Sequence, residues 1–194
     1  MPSVRRLLAV VALVVSCSFA CGGDPPDKEM QEAQGAIDTA RAAGADRYAR
    51  DEFTAAQDSL KKAQDAVGQR DYRLALNYAL DSRERAQSSA REAADHKAVA
   101  RTDAQRALAS ATTALTDAKT KLRTIDGPRT PPKAHAAERR TVADADLLVQ
   151  KARTAFARGE YLDVIDTLKP LKPRLAEAMR QMDAAPAPPA RRRR

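Results

Sequence analysis

Between Gly68 and Gly127 the chain contains neither glycine nor proline, and small apolar residues return along it every three or four positions. Ala75, Ala79, Ala86, Ala90, Ala93, Ala100, Ala104, Ala107, Ala111, Ala118 and Leu122 make one stripe. That spacing fits the 3.6-residue turn of a helix and not the alternation of a strand. The stretch 71–125 therefore predicts one helix, with a kink or break allowed near His96–Thr102, where large apolar residues are scarce. Alanine on a seam lets helix backbones approach closely, near the low end of the roughly 8–10 Å interaxial range.

Shorter stripes flank this one. Met30, Ala33, Ile37 and Ala40 end at Gly44, and Phe53, Ala56, Leu60, Ala63 and Val67 end at Gly68. After the loop Gly127-Pro128-Arg129-Thr130-Pro131-Pro132 come Val142, Ala145, Val149, Ala152 and Phe156, which end at Gly159. A last helix carries Tyr161, Ile165, Leu168, Leu175 and Met179, with an expected kink at Pro170 and Pro173. With charged residues at 31%, aromatics at 4% and only seven glycines, the composition is that of helices. The expected fold is all-α: an elongated antiparallel helical bundle of two similar three-helix units joined by a long central helix, after an N-terminal signal helix.

The two units are expected because the pattern repeats at a period of 89. Phe53, Ala56, Leu60, Ala63, Val67, Tyr72, Ala75 and Leu76 align with Val142, Ala145, Val149, Ala152, Phe156, Tyr161, Val164 and Ile165. The units fall at 28–100 and 101–183, followed by an Ala/Pro tail at 184–194 that ends in an arginine run and reads as extended and disordered.

Residues 1–20 read as a lipoprotein signal peptide. Arg5 and Arg6 precede the apolar run Leu7–Val15, and small residues and cysteine follow. Nine apolar residues cover about 14 Å as helix, too short for a bilayer core of about 30 Å. Cys17 and Cys21, the only two cysteines, each follow a small residue, and both sequences resemble the bacterial lipobox, whose cysteine receives a diacylglycerol. Cys17 has the better aliphatic residue three places upstream. Cys21 has the better downstream tether (21–27, with Gly22-Gly23-Asp24-Pro25-Pro26) and is preferred. A plain secreted chain with a Cys17–Cys21 disulfide, or an uncleaved anchor, is the alternative. Neither cysteine is followed by aspartate, which by resemblance to Gram-negative lipoproteins implies the outer membrane, facing the periplasm.

The formal charge of +8 belongs to the ends. Of 34 basic residues, two are Arg5 and Arg6 and four are Arg191, Arg192, Arg193 and Arg194, leaving 28 against 26 acidic residues over 24–184. A near-neutral body argues against nucleic acid as a partner. The terminal arginines are a candidate contact for an anionic surface, or a solvated tail.

Ala42-Ala43-Gly44-Ala45, Tyr48-Ala49, Ala55, Leu60-x-x-Ala63, Asp71-Tyr72-x-x-Ala75 and Ala79 resemble the alanine-rich helical envelope lipoproteins of domain-of-unknown-function family 4398. In that family the residue after Tyr-Ala is usually proline, and here it is Arg50. The resemblance implies a signal or lipoprotein sequence, a helical bundle and frequent company with peptidoglycan-binding domains. It carries no activity. The turn Arg158-Gly159-Glu160-Tyr161 is also similar to the hairpin turn of tetratricopeptide repeats, whose period is 34 rather than 89.

No reactive constellation is legible. His96 and His135, the only histidines, have no ligand partner at helical spacing, so no metal or other cofactor is expected. Ser88, Ser89 and Ser110 lack a paired base, and the acids alternate with Lys and Arg as on a solvated helix face. No enzyme and no small-molecule substrate are expected. Tyr72 and Tyr161, at helix starts, are core caps or a candidate interaction surface. The expected function is a structural or adaptor lipoprotein, held to a membrane by its lipid and meeting another envelope protein or peptidoglycan. The alternative is a tetratricopeptide-like peptide- or protein-binding assembly factor.

Overall fold

Each glycine that closes an apolar stripe stands where a helix turns back or close to it. The computed structural model describes residues 24–126 and 135–184. Among them lie seven helices and no strand: α1 (Asp27–Ala43), α2 (Ala45–Tyr48), α3 (Arg50–Gly68), α4 (Tyr72–Ile125), α5 (Ala136–Ala157), α6 (Tyr161–Leu168) and α7 (Leu171–Ala184). The fold is all-α, as the periodicity predicts. The segment expected to be a signal peptide, the expected loop within 127–134 and the expected tail from 185 lie outside the described residues.

The chain divides into two compact units between His96 and Lys97, inside α4. α4 itself is helical without interruption from Tyr72 to Ile125, and no break occurs at His96–Thr102. Nothing in that stretch removes a backbone donor, so thin packing alone does not end the helix.

In the first unit α1, α2, α3 and the start of α4 enclose Ala33, Ile37, Ala40, Ala45, Ala49, Phe53, Ala56, Leu60, Ala86 and Ala93. Most of these are alanine, so the apolar area buried per residue is small and Ile37, Phe53 and Leu60 supply much of it. Two serines, Ser82 and Ser89, are also fully buried on α4. Ser82 Oγ donates to Ala56 O across to α3 at 2.8 Å, and Ser89 Oγ donates to Ala86 O at 2.9 Å. Each buried hydroxyl thereby keeps a partner.

α1 stops at Gly44, whose φ of 89° places it in the left-handed region. A Cβ there would also meet the Tyr48 ring at 3.3 Å. α2 is a single turn that re-aims the chain, and Ala49, at φ −141°, separates it from α3. Arg50 opens α3 without the help of proline. His96 Nδ1 donates to Tyr48 O at 2.6 Å and ties this corner to α4.

The second unit has a fuller core: Leu115 and Ala118 of α4, Val142, Val149 and Ala152 of α5, Val164 and Leu168 of α6, and Leu171, Leu175 and Met182 of α7. α6 and α7 are one helical path interrupted at Lys169–Pro170. Pro170 and Pro173 lack the N–H groups that would continue the ladder, and Pro173 is accommodated in the first turn of α7.

The burial pattern repeats at the period read from sequence. Ala75, Ala79, Ser82, Ala86, Ser89 and Ala93 are buried, and so are the residues 89 positions on, Val164, Leu168, Leu171, Leu175, Ala178 and Met182. Phe53, Ala56, Leu60 and Ala63 stand in the same relation to Val142, Ala145, Val149 and Ala152.

Candidate functional site

Three features within the units are built well enough to be asked what they do. The first is a pair of matching turns. Where α3 gives way to α4, the Asp71 N–H reaches back to Ala66 O and the Arg70 N–H to Val67 O, each at 2.9 Å. Where α5 gives way to α6, the Glu160 N–H reaches Ala155 O and the Gly159 N–H reaches Phe156 O, each at 3.0 Å. Both are the double hydrogen-bond closure that requires a left-handed residue after the helix. Gly159 takes that position at φ 80°. In the first unit it is taken by Arg70 at φ 61°, a residue with a Cβ. Gly68, which closes the second stripe in sequence, is the last residue of α3 and not the left-handed one.

The second feature is a polar cluster between α3 and α4. Ser59 Oγ donates to Asp81 Oδ2 at 2.6 Å. Arg85 Nε donates to both Asp81 oxygens at 3.1 and 3.0 Å, and its Nη1 to Glu52 Oε1 at 3.2 Å. The Ser59 hydrogen bond, aided by Arg85 and by Lys62, holds the Asp81 carboxyl below the usual aspartate range against the opposing effect of burial. Lys62 also sits over the Tyr78 ring, 5.8 Å from its centre. Each acid faces a cation or a hydroxyl, so the cluster is arranged to join two helices.

The third feature is a set of open grooves. One of about 570 Å³ runs between α1 and α4, lined by Glu32, Ala36, Thr39, Arg83, Gln87, Ala90 and Arg91, with Arg83 paired to Glu32 across it. Another lies in the second unit among Lys97, Ala98, Arg101, Thr102, Gln105 and Tyr161. A third runs between α1 and α3, lined by Asp27, Met30, Gln31, Gln34, Leu60 and Gln64. Among the described residues no cluster of three His, Cys, Asp or Glu side chains is placed to hold a metal ion.

These alanine-seamed helices and their Tyr-opened turn are the parts on which the resemblance in sequence rests. The family model of a domain of unknown function (DUF4398) matches residues 28–102. Over that stretch the chain is similar to the DUF4398 family. No curated protein and no solved structure matches it. The DUF4398 stretch takes in α1, α2, α3 and the start of α4, and so holds both the Arg70 turn and the Asp81 cluster.

Of the residues singled out from sequence, Cys17, Cys21 and Arg191 to Arg194 lie outside the described residues. Tyr72 and Tyr161 open α4 and α6 and are half-buried, each in its own unit. Tyr161 packs on Phe156 with ring centres 5.2 Å apart. Sequence reasoning missed Arg70, because only glycine or asparagine signals a left-handed residue in advance. It missed the Ser59–Asp81–Arg85–Glu52 cluster because its members are far apart in the chain. His135 proves to be the residue that opens α5, at φ 56°. No described helix is long and apolar enough to cross a membrane.

Proposed function

We propose that this protein is a lipid-anchored component of the bacterial envelope, a structural or adaptor element without chemistry of its own. The observation that carries the reading is an order of features. A basic pair (Arg5, Arg6), an apolar run too short to span, and a cysteine at 17 or 21 come directly before a short Gly/Pro spacer and a helix that starts at Asp27. At about 0.8 kcal/mol per buried methylene, two acyl chains hold a protein firmly at a membrane. The helical body adds support. Its polar side chains join helix to helix, as Arg85 does with Glu52, and Lys119 with Asp146 at 2.8 Å. Its grooves are open and shallow, a form suited to partner surfaces more than to enclosing a small substrate. Placement at the outer membrane, and contact with another envelope protein or the sacculus, belong to the same proposal.

Mass spectrometry of the mature N-terminus tests it. A diacylglyceryl mass is expected, lost on Cys21→Ala and retained on Cys17→Ala; the opposite pattern moves the anchor to Cys17. An unmodified, cleaved, soluble protein overturns the reading. A second reading, a peptide-binding assembly factor, draws on the groove at Tyr161, where Lys97 and Arg101 would favour an acidic peptide. Tyr161→Ala abolishing binding of such a peptide to the purified protein would support it.

A further inference from the structure

The α3–α4 turn combines a strained arginine with a position dictated by the proposed anchor. We propose that this end of the first unit is a phospholipid-contacting surface, with Arg70 and Arg73 donating to headgroup phosphates. The inference rests on the reading of the chain as anchored at Cys21.

The first argument is reach. Pro26 is buried and α1 begins at the next residue, so the folded body starts there. Five residue steps separate Cys21 from Pro26, and a fully extended chain covers at most about 18 Å in that distance. The start of α1 is therefore held close to the lipid headgroups. α3 runs antiparallel beside it, since Asp27, Met30, Gln31 and Gln34 line one groove with Leu60 and Gln64. The turn after Gly68 lies about one helical turn, or roughly 6 Å, beyond Gln64. It shares the end of the unit from which the tether leaves.

The second argument is the turn itself. Glycine is the residue that occupies a left-handed position without cost, and Gly159 does so in the matching turn. Arg70 adopts the same conformation with a Cβ, and its exposed side chain has no hydrogen bond or ion pair among the described residues. Arg73 is likewise exposed and unengaged among the described residues. A residue held at a conformational cost points to a use outside the fold. Guanidinium groups suit phosphate, which they can meet with two parallel hydrogen bonds. Around them stand Tyr72, half-buried, whose apolar ring and polar tip suit headgroup depth, and Leu74, an apolar side chain 38% exposed. Asp71 Oδ1 accepts the Leu74 N–H at 3.0 Å, and among the described residues Asp71 forms no ion pair with either arginine. Asp27, Asp65 and Asp71 offset Lys28, Arg70 and Arg73 at this end, so the contact is local hydrogen bonding more than long-range attraction.

The experiment uses the full lipidated protein in vesicles of phosphatidylethanolamine and phosphatidylglycerol that carry a headgroup-attached quencher. A fluorophore is placed on Gln69→Cys at the turn or on Asp46→Cys in α2, just past the far end of α1. Several-fold stronger quenching at 69 than at 46 is expected. Equal or stronger quenching at 46 overturns the proposal. Adding Arg70→Gly, which keeps the backbone turn, is expected to lower quenching at 69; no change removes the arginine from the contact. The outcomes separate the two readings. A protein without acyl mass fails as an anchored lipoprotein and this inference falls with it, whereas a lipidated protein with the reversed quenching pattern loses only this inference.

Discussion

Arg70 and Gly159 occupy the same position of the same turn, 89 residues apart, with φ of 61° and 80°. An L-residue in the left-handed region costs about 1–2 kcal/mol, which glycine escapes, while glycine has more freedom to lose on folding. Arg70→Gly should therefore raise stability by about 0.5–1 kcal/mol, and Gly159→Ala should lower it by about 1 kcal/mol. Thermal and urea unfolding followed by circular dichroism would show the opposite signs. A loss of stability in Arg70→Gly would mean that the arginine side chain holds the turn within the fold.

The same 89-residue relation pairs Ser82 with Leu171 and Ala86 with Leu175, all buried. Removing the Leu171 or Leu175 side chain empties space that the α5, α6 and α7 side chains cannot fully refill. Leu171→Ala and Leu175→Ala should each cost about 2–5 kcal/mol. Ser82→Ala should cost only about 0.5–1.5 kcal/mol, since the Ala56 carbonyl it leaves lies within α3 and keeps its helical partner. Unfolding midpoints of the three variants give the order, and a Ser82→Ala loss as large as the leucine losses would contradict it.

Much of this fold was legible because helix periodicity and glycine stops are local signals. The stripes through Ala33, Ile37 and Ala40, and through Val142, Ala145 and Val149, are the buried ones, and Gly44 ends its helix where sequence puts the stop. What was not legible depends on tertiary pairing. Ser82 and Ser89 were not picked out as core positions, yet they are buried because a small hydroxyl fits an alanine seam and finds a carbonyl. Leu147, outside the stripe read from sequence, is 70% exposed, since Val142, Ala145 and Val149 set the inward face of α5. The Ser59–Asp81–Arg85–Glu52 cluster has no linear motif at all.

Asp126 after α4 and Arg139 in α5 pair with each other. Arg139 Nε donates to Asp126 Oδ2 at 2.8 Å and Nη2 to Oδ1 at 2.7 Å. Hydrogen bonding to Arg139 holds the Asp126 carboxyl below the usual aspartate range. Arg139→Gln removes the two-pronged partner and should bring the Asp126 pKa back up toward its ordinary value, as carbon-13 titration of the carboxyl by NMR would show. An Asp126 titration unmoved by the substitution would mean that the pair does not form in solution.

Asp81 makes the corresponding prediction for the junction of α3 and α4. Its pKa in the folded protein is depressed, chiefly by the Ser59 hydroxyl and then by Arg85. A depressed carboxylate contributes stability at pH above its unfolded value, about 3.9, and that contribution fades as pH falls through the lower folded value. Acidification below about pH 4 should thus weaken the first unit, and Ser59→Ala should diminish the pH dependence by raising the folded pKa. The side chain of Asp81 is 43% exposed, so solvent screens the effect and the change at neutral pH should be small. Acid titration of thermal stability for wild type and Ser59→Ala distinguishes the cases: parallel curves would show that Asp81 is not the group being titrated, and convergence at low pH is the outcome that the hydrogen bond from Ser59 requires.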